Sequence, residues 1–407
     1  MTNYNQLLIS DATIILYLCS FVLEGPLRYI LVKIGMEGLI YLRDVALVFL
    51  VLTPTINCLT REKFEKLNFY TLLFIAFYIL IGILYTHNIL QVLFGIKVIL
   101  PFIVGIMYYD SLFLHSQTIL KKTYSIFLVL VCTGIFLEGA LGKLPWSGLS
   151  YNFASFEIEA TRAWNTFGVD RLAGFSRSSV DAAIQILMFS MFLFSYVKKT
   201  RLIFFMWAVS GVAIVLTTSK GIILCYIFIS IFLGLRAIFP EISSKFPRIL
   251  IIPFILMIGL PLLNMIFTEF NFDMNVDVIY IYIFDSFRDR LTSMWPSSIR
   301  MVLDNGNILL GRGLGGIGEA QRFFEYSLYR PADNLVIYLY GLFGVASLWI
   351  CNYMLIKAQK FDMLKQEDFF HFMILTTLVI YGITTSVMEN SLFSLFTGFL
   401  WRKLYTL

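Results

Sequence analysis

Ten basic residues stand out by type and placement: Lys143, Arg162, Arg171, Arg177, Arg288, Arg290, Arg300, Arg312, Arg322 and Arg330. Nine of the ten are arginine, and they fall in two stretches, near 143–179 and 268–332. Arginine offers a planar fork of N–H donors that grips a phosphate through two parallel bonds and never deprotonates. The chemistry this set suits is recognition of a diphosphate or an anionic glycan. Headgroup contact and loop ion pairs with Asp285, Asp289 and Asp304 are the plainer use of the same residues. A second set of charges lies within or beside long apolar runs: Arg43 and Asp44, Lys97 in FGIKVILPF, Glu138, Asp181 and Lys220. Each costs several kcal/mol against lipid, so each should face a cavity or a partner. Arg43 and Asp44 read as a mutual pair.

The elements that must hold these groups are membrane helices. The chain has 407 residues, 59% hydrophobic and 14% charged, against about 25% charged in a soluble domain. Continuous apolar runs of roughly 20 residues can cross a hydrocarbon core, and their lack of alternation favours helices over barrel strands. About twelve spans are expected, near 6–24, 39–57, 69–87, 89–110, 123–142, 180–198, 201–217, 220–238, 248–267, 333–357, 370–387 and 388–402. This is an all-α polytopic membrane protein, a single integral membrane domain over 1–407, with 11–13 spans as the range.

With both termini in the cytoplasm, the short cytoplasmic connections and C-terminus hold sixteen Lys and Arg, and the short outer connections hold three, Arg28, Lys33 and Lys220. The positive-inside rule therefore fixes this orientation. Both long loops, about 143–179 and 268–332, then lie outside. The second carries Tyr280, Tyr282, Phe287 and Trp295 in a pattern that predicts short interfacial helices. The net charge of +5 reflects this distribution and gives no reason to expect nucleic acid. The five cysteines (Cys19, Cys58, Cys132, Cys225, Cys351) and three histidines (His87, His115, His371) are scattered, which argues against a metal site. No basic segment precedes the first apolar run, so no cleaved signal peptide is read. Gly313-Leu-Gly-Gly-Ile-Gly318, with Asp333 beyond it, fits a dinucleotide-binding spacing. No strand pattern or βαβ unit surrounds it, and a tight glycine turn is the better reading.

Four segments together resemble the O-antigen polymerase and ligase family, the Wzy/WaaL-like membrane glycosyltransferases. They are Arg171-Leu-Ala-Gly-Phe-Ser-Arg177; Leu216-Thr-Thr-Ser-Lys220-Gly221; Arg290-Leu-Thr-Ser-Met-Trp295 followed by Leu309-Leu-Gly-Arg-Gly-Leu-Gly315; and Asp333-Asn334-Leu followed by Tyr340-Gly-Leu-Phe-Gly344. They cover roughly 165–345. Lys220 stands where the family usually has arginine, and Asp333 where the ligases have histidine, which tilts the resemblance toward the polymerases.

The resemblance implies a GT-C-like fold and a metal-independent reaction needing no cofactor. Repeat units carried on undecaprenyl diphosphate are joined at the periplasmic face of a bacterial inner membrane. Arginines would stabilise the diphosphate leaving group. Arg290 and Lys220 come first, with Arg171, Arg177, Arg288, Asn334 and Lys97 as substrate- or diphosphate-binding residues, the lipid tail lying near Lys97. Asp333 would be the base, or a helix N-cap. The implied partners are the lipid-linked donor and acceptor, membrane lipids, a chain-length regulator and a flippase. The rival readings are an O-antigen ligase acting on lipid A–core and a lipid-linked oligosaccharide transporter. A transporter would concentrate charges and broken helices at mid-membrane.

Overall fold

The computed structural model describes residues 2–61, 65–153, 156–166, 168–197, 199–266 and 285–407. Tyr280, Tyr282, and the side chains of Cys58 and His115 lie outside the described residues. The helices are α1 (Thr2–Val22), α2 (Glu24–Lys33), α3 (Leu42–Arg61), α4 (Lys66–Thr86), α5 (Ile89–Asp110), α6 (Gln117–Leu141), α7 (Ser179–Tyr196), α8 (Thr200–Leu216) and α9 (Lys220–Ile238). After these come α10 (Ile251–Ile266), α11 (Trp295–Asn305), α12 (Glu319–Phe324), α13 (Leu335–Phe343), α14 (Ala346–Ala358), α15 (Gln366–Gly382) and α16 (Ser391–Thr406). The protein is a predominantly helical membrane protein.

Among the described residues, seven helices are long and apolar enough to cross a membrane, or eight if the bent pair α1–α2 forms one span. Twelve were expected, and the difference has a simple cause. An α-helix rises about 1.5 Å per residue, so a core about 30 Å thick needs about 20 residues. Helices α8, α15 and α16 have 17, 17 and 16 residues, whereas α10 counts because its helical run begins earlier, Phe246–Leu263 giving 18 residues. The expected run 333–357 is divided into α13 and α14 at Gly344, whose φ of +55° stops the first helix. The first run bends by 82° between α1 and α2.

The chain divides into two compact units that alternate along the sequence. The first comprises Met1–Glu62, Val104–Leu233 and Lys365–Ile374. At its centre is α7, buried on nearly every side. Aromatic rings fill the space around it: Phe192 lies 4.7 Å from Tyr124 and 5.4 Å from Phe370, centroid to centroid. In hydrocarbon such close packing, rather than exclusion of water, holds helices together. The connection from α6 to α7 departs from the all-α expectation. It carries two antiparallel hairpins, β1 (Ser150–Phe153) with β2 (Phe156–Glu159), and β3 (Trp164–Thr166) with β4 (Val169–Arg171). Gly168, at φ +81°, lies in the second turn, and Asn165 closes that turn by accepting the Gly168 N–H at 2.9 Å.

The second unit comprises Lys63–Ile103, Gly234–Leu364 and Leu375–Leu407. Short helices α11 and α12 lie within 268–332. The glycine run is a packing device without a preceding strand. Leu314 N–H donates to Tyr78 O at 3.0 Å and Arg312 N–H to Gly341 O at 2.7 Å. A Cβ on Gly313 would stand 2.1 Å from Gly82 N, so only glycine lets this ribbon lie on α4. Arg312 is buried beneath it in a two-pronged bond to Glu325, at 3.0 and 3.1 Å.

These contacts predict that Gly313→Ala lowers the thermal unfolding midpoint in detergent more than Gly35→Ala does. Both residues have positive φ, costing about 1–2 kcal/mol for alanine, but Gly35 has open space around it and Gly313 does not. The overlap adds about 1–3 kcal/mol. Equal midpoints would refute the packing role.

Candidate functional site

In the first unit the segment Arg171–Ser178 is fastened at every turn. Glu138, at the end of α6, accepts the N–H groups of Ala173 and Gly174, each at 2.7 Å, through one carboxylate oxygen. Its other oxygen accepts from Ser147 Oγ at 3.0 Å. Trp146 Nε1 donates to Gly174 O at 2.8 Å, and Gly25 N–H donates to Phe175 O at 2.8 Å. Gly174 sits at φ +61°, and a Cβ there would meet Gly134 at 2.6 Å. Ser178 caps α7, accepting from Asp181 N–H at 3.2 Å and donating to Asp181 Oδ2 at 2.6 Å.

This fastening fixes two arginines. Arg171 Nη2 donates to Ser219 Oγ at 3.2 Å, and its guanidinium lies 5.0 Å from the Trp164 ring. The first two motif segments thus meet at the start of α9. Thr218 there has φ +52°, a costly conformation for a β-branched residue. Lys220 opens α9 and is exposed. The positive pole of a helix disfavours a cation, so its placement suits an anion at that end. Arg177 donates through Nη2 to Glu159 O at 3.4 Å, while its buried Nε has no acceptor among the described residues. Arg162, Arg171, Arg177 and Lys143 line one small polar pocket of about 20 Å³ with Glu138 and Asp170.

A buried ion cluster lies at the α1–α2 bend. The Glu24 carboxylate holds Arg28 at 2.8 Å and Arg43 at 3.1 Å, and Arg43 lies 4.3 Å from the Phe21 ring. Arg43 thus has Glu24 as its close ion partner, while the charge of its neighbour Asp44 also acts on it.

In the second unit the third and fourth motif segments meet. Arg290 Nη2 lies 3.0 Å from Asp333 Oδ2, and Trp295 Nε1 donates to Asp333 O at 3.0 Å. Arg290 also donates to Ser286 O at 2.9 Å, and its buried Nε lacks an acceptor among the described residues. Asp333 has φ +33°, a strained value. The N-cap of α13 is Asn334, not Asp333. Asn334 Oδ1 accepts from Val336 and Ile337 N–H, and Nδ2 donates to Met257 O and Ile383 O, both at 3.0 Å. Those four bonds occupy a fully buried side chain and leave it a structural task. Arg288 is exposed and paired with Asp285 at 3.0 Å, an arrangement worth little.

An apolar cavity of about 450 Å³ lies in this unit. Gly95, Val98, Ile99 and Phe102 of α5 form part of its wall. Lys97 lies on another face of that helix, 5.3 Å from the Phe94 ring. One carboxylate, Glu389, stands on the cavity wall beside Tyr338. Its Oε1 accepts from Glu319 N–H at 2.6 Å and its Oε2 from Ser386 Oγ at 2.7 Å. Burial pushes the Glu389 carboxyl up to about 7, against these two hydrogen bonds, and the charges of Glu319 and Asp333 add to the rise. The sequence reading passed over Glu389; its one local signal is the Ser386-Val-Met-Glu389 spacing.

Two outcomes follow. Glu138→Ala strands two buried backbone N–H groups, costing roughly 1–3 kcal/mol each, so hydrogen exchange at Ala173 and Gly174 accelerates; unchanged exchange would deny the fastening. Because Glu389 is raised from 4.5 to about 7, its contribution to stability is complete below pH 4.5 and is lost as pH rises through about 7. Glu389→Gln flattens that slope in thermal unfolding, and an unaltered slope would place the titration elsewhere.

Comparison of the chain with protein-family models, with curated proteins and with solved structures finds no match.

Proposed function

We propose that this chain is a membrane glycosyltransferase that polymerises oligosaccharide repeat units carried on undecaprenyl diphosphate, in the manner of the O-antigen polymerases. The observation that carries the reading is Arg290. It stands in a motif that resembles that family and is oriented by Asp333 at 3.0 Å. It also keeps a buried Nε–H with no acceptor among the described residues. A buried donor without a partner is uncommon and suits a ligand oxygen. Arg177 repeats the pattern in the first unit, in a pocket shared with Arg162 and Arg171.

In this reading a lone pair of the acceptor sugar hydroxyl attacks the anomeric carbon of the donor glycan. The bond from that carbon to the diphosphate breaks, and undecaprenyl diphosphate leaves with the electron pair. Arg290 stabilises the charge that grows on the departing oxygen. The reaction would lie on the periplasmic face of a bacterial inner membrane, with both termini cytoplasmic. Counting the bent pair, α8, the divided α13–α14, α15 and α16 as further crossings restores twelve, the number a GT-C-like arrangement would use here.

The 82° bend between α1 and α2, with buried Glu24 at its start, favours one other reading, a transporter of lipid-linked glycans. Reconstitution in vesicles with lipid-linked repeat units, without nucleotide sugar or added metal, separates the two. The polymerase reading expects extended glycan chains, and Arg290→Ala to lower turnover by about 100-fold or more. Transbilayer movement with no new glycosidic bond would overturn it.

A further inference from the structure

We propose that Glu389 is the general base that takes the proton from the acceptor hydroxyl, an assignment that rests on the glycosyltransferase reading above. The sequence points first to Asp333 for that task, but the structure gives Asp333 a different one. Its Oδ2 is engaged by Arg290, and its backbone carbonyl is held by the Trp295 indole. It orients the arginine.

Glu389 has the geometry a base needs. It ends the short turn Val387–Glu389 that joins α15 to α16. Each carboxylate oxygen accepts one fixed donor, Glu319 N–H or Ser386 Oγ, so the group is aimed and still has a lone pair on each oxygen. The chain makes room for it at Gly318, which is at φ +85° and where a Cβ would lie 2.1 Å from Glu389 Oε1. Any other residue at 318 would displace the carboxylate. The cavity wall on which it stands is otherwise almost wholly apolar, so few groups there compete for a proton.

It is also close to the machinery already described. Asn334, the neighbour of Asp333, donates to Ile383 O at 3.0 Å just before the turn that carries Glu389, and Tyr338 on the same helix stands with Glu389 against Gly318. Glu319 is paired with Arg322 at 3.8 Å, and Tyr338 feels both Glu319 and Glu389. Of the three carboxylates, Asp333 and Glu319 each have an arginine in ion-pair range, and Glu389 is held by an N–H and a hydroxyl instead.

In the step, the acceptor O–H bond breaks as its oxygen bonds to the anomeric carbon. The proton passes to Glu389, and the electron pair of the broken glycosyl–phosphate bond leaves with the diphosphate. Atoms and charge balance without a further reactant. Raised by its burial to about 7, the carboxyl is matched to a base working near neutral pH.

The test is chain extension by the full-length protein in vesicles, measured from pH 5 to 9 for the natural protein, Glu389→Gln and Glu389→Asp. Donor binding and thermal midpoint are recorded for each. The natural protein should gain turnover as pH rises through about 7 and then level off. Glu389→Gln should lose about 100-fold or more in turnover with donor affinity unchanged, and the rise through about 7 should vanish. Glu389→Asp should restore part of the turnover and the rise. Product from the natural protein, with Glu389→Gln within about twofold of it or keeping the same rise, overturns this assignment alone. Loss of donor affinity matching the loss of turnover makes Glu389 a scaffold residue and also overturns it. Absence of product from the natural protein overturns the glycosyltransferase reading and this assignment with it.

Discussion

A carboxylate carried on or beside an apolar helix gives up its water, and hydrocarbon offers nothing in return. It must find donors within the protein, and the donors it finds become fixed. Three such groups organise this chain. Glu24 gathers Arg28 and Arg43 at the α1–α2 bend. Glu138 binds the backbone of Ala173 and Gly174, and so sets where Arg171 and Arg177 emerge. Glu389 binds Glu319 N–H and Ser386. The cost of burying each acid is offset by hydrogen bonds that also determine the path of a loop. The described parts of the loops are therefore not loose connectors. They are held from the helices below, and their arginines inherit that order.

Strain is placed with similar economy. Among the described residues three that are not glycine have left-handed φ: His87, Thr218 and Asp333. His87 follows the last turn of α4, where such a residue ends a helix in an ordinary way. Thr218, two residues past the end of α8, closes that helix in the same way, whereas Asp333 follows no helix. One precedes Lys220 beside the Arg171 contact, and the other carries the carboxylate that orients Arg290. Strain of about 1–3 kcal/mol persists only where surrounding contacts impose it, and it collects where a fixed geometry is needed. The buried Nε–H groups of Arg177 and Arg290 lie in these same two neighbourhoods.

The helical runs were legible because each is a local, continuous apolar stretch. Two contacts, Arg171 with Ser219 and Arg290 with Asp333, join segments that residue type and order single out in the sequence. Breaks within runs were harder. Nothing in the hydropathy near Gly344 shows that φ turns positive there and divides a run in two. The hairpins between α6 and α7 were missed because their strands have only three or four residues. The ion partners were hardest. Glu389 meets Glu319 across seventy positions, and Arg43 on α3 meets Glu24 at the start of α2. Asn334 was misread for a related reason: its acceptors Met257 O and Ile383 O lie far off in sequence, so it looked available when it is fully engaged.

The central proposal, drawn from the distribution of lysine and arginine, is that both arginine-bearing loops are non-cytoplasmic, where a lipid diphosphate would be met. The direct measurement is labelling by a membrane-impermeant maleimide in right-side-out vesicles, with single cysteines introduced as Lys143→Cys, Arg330→Cys or Lys360→Cys in a cysteine-free background. Lys143 and Arg330 are exposed in the first and second units, and Lys360 follows α14. The account predicts that Lys143→Cys and Arg330→Cys react at once, and that Lys360→Cys reacts only after the membrane is opened. Protection of either loop position, or labelling of the two from opposite sides, would contradict it.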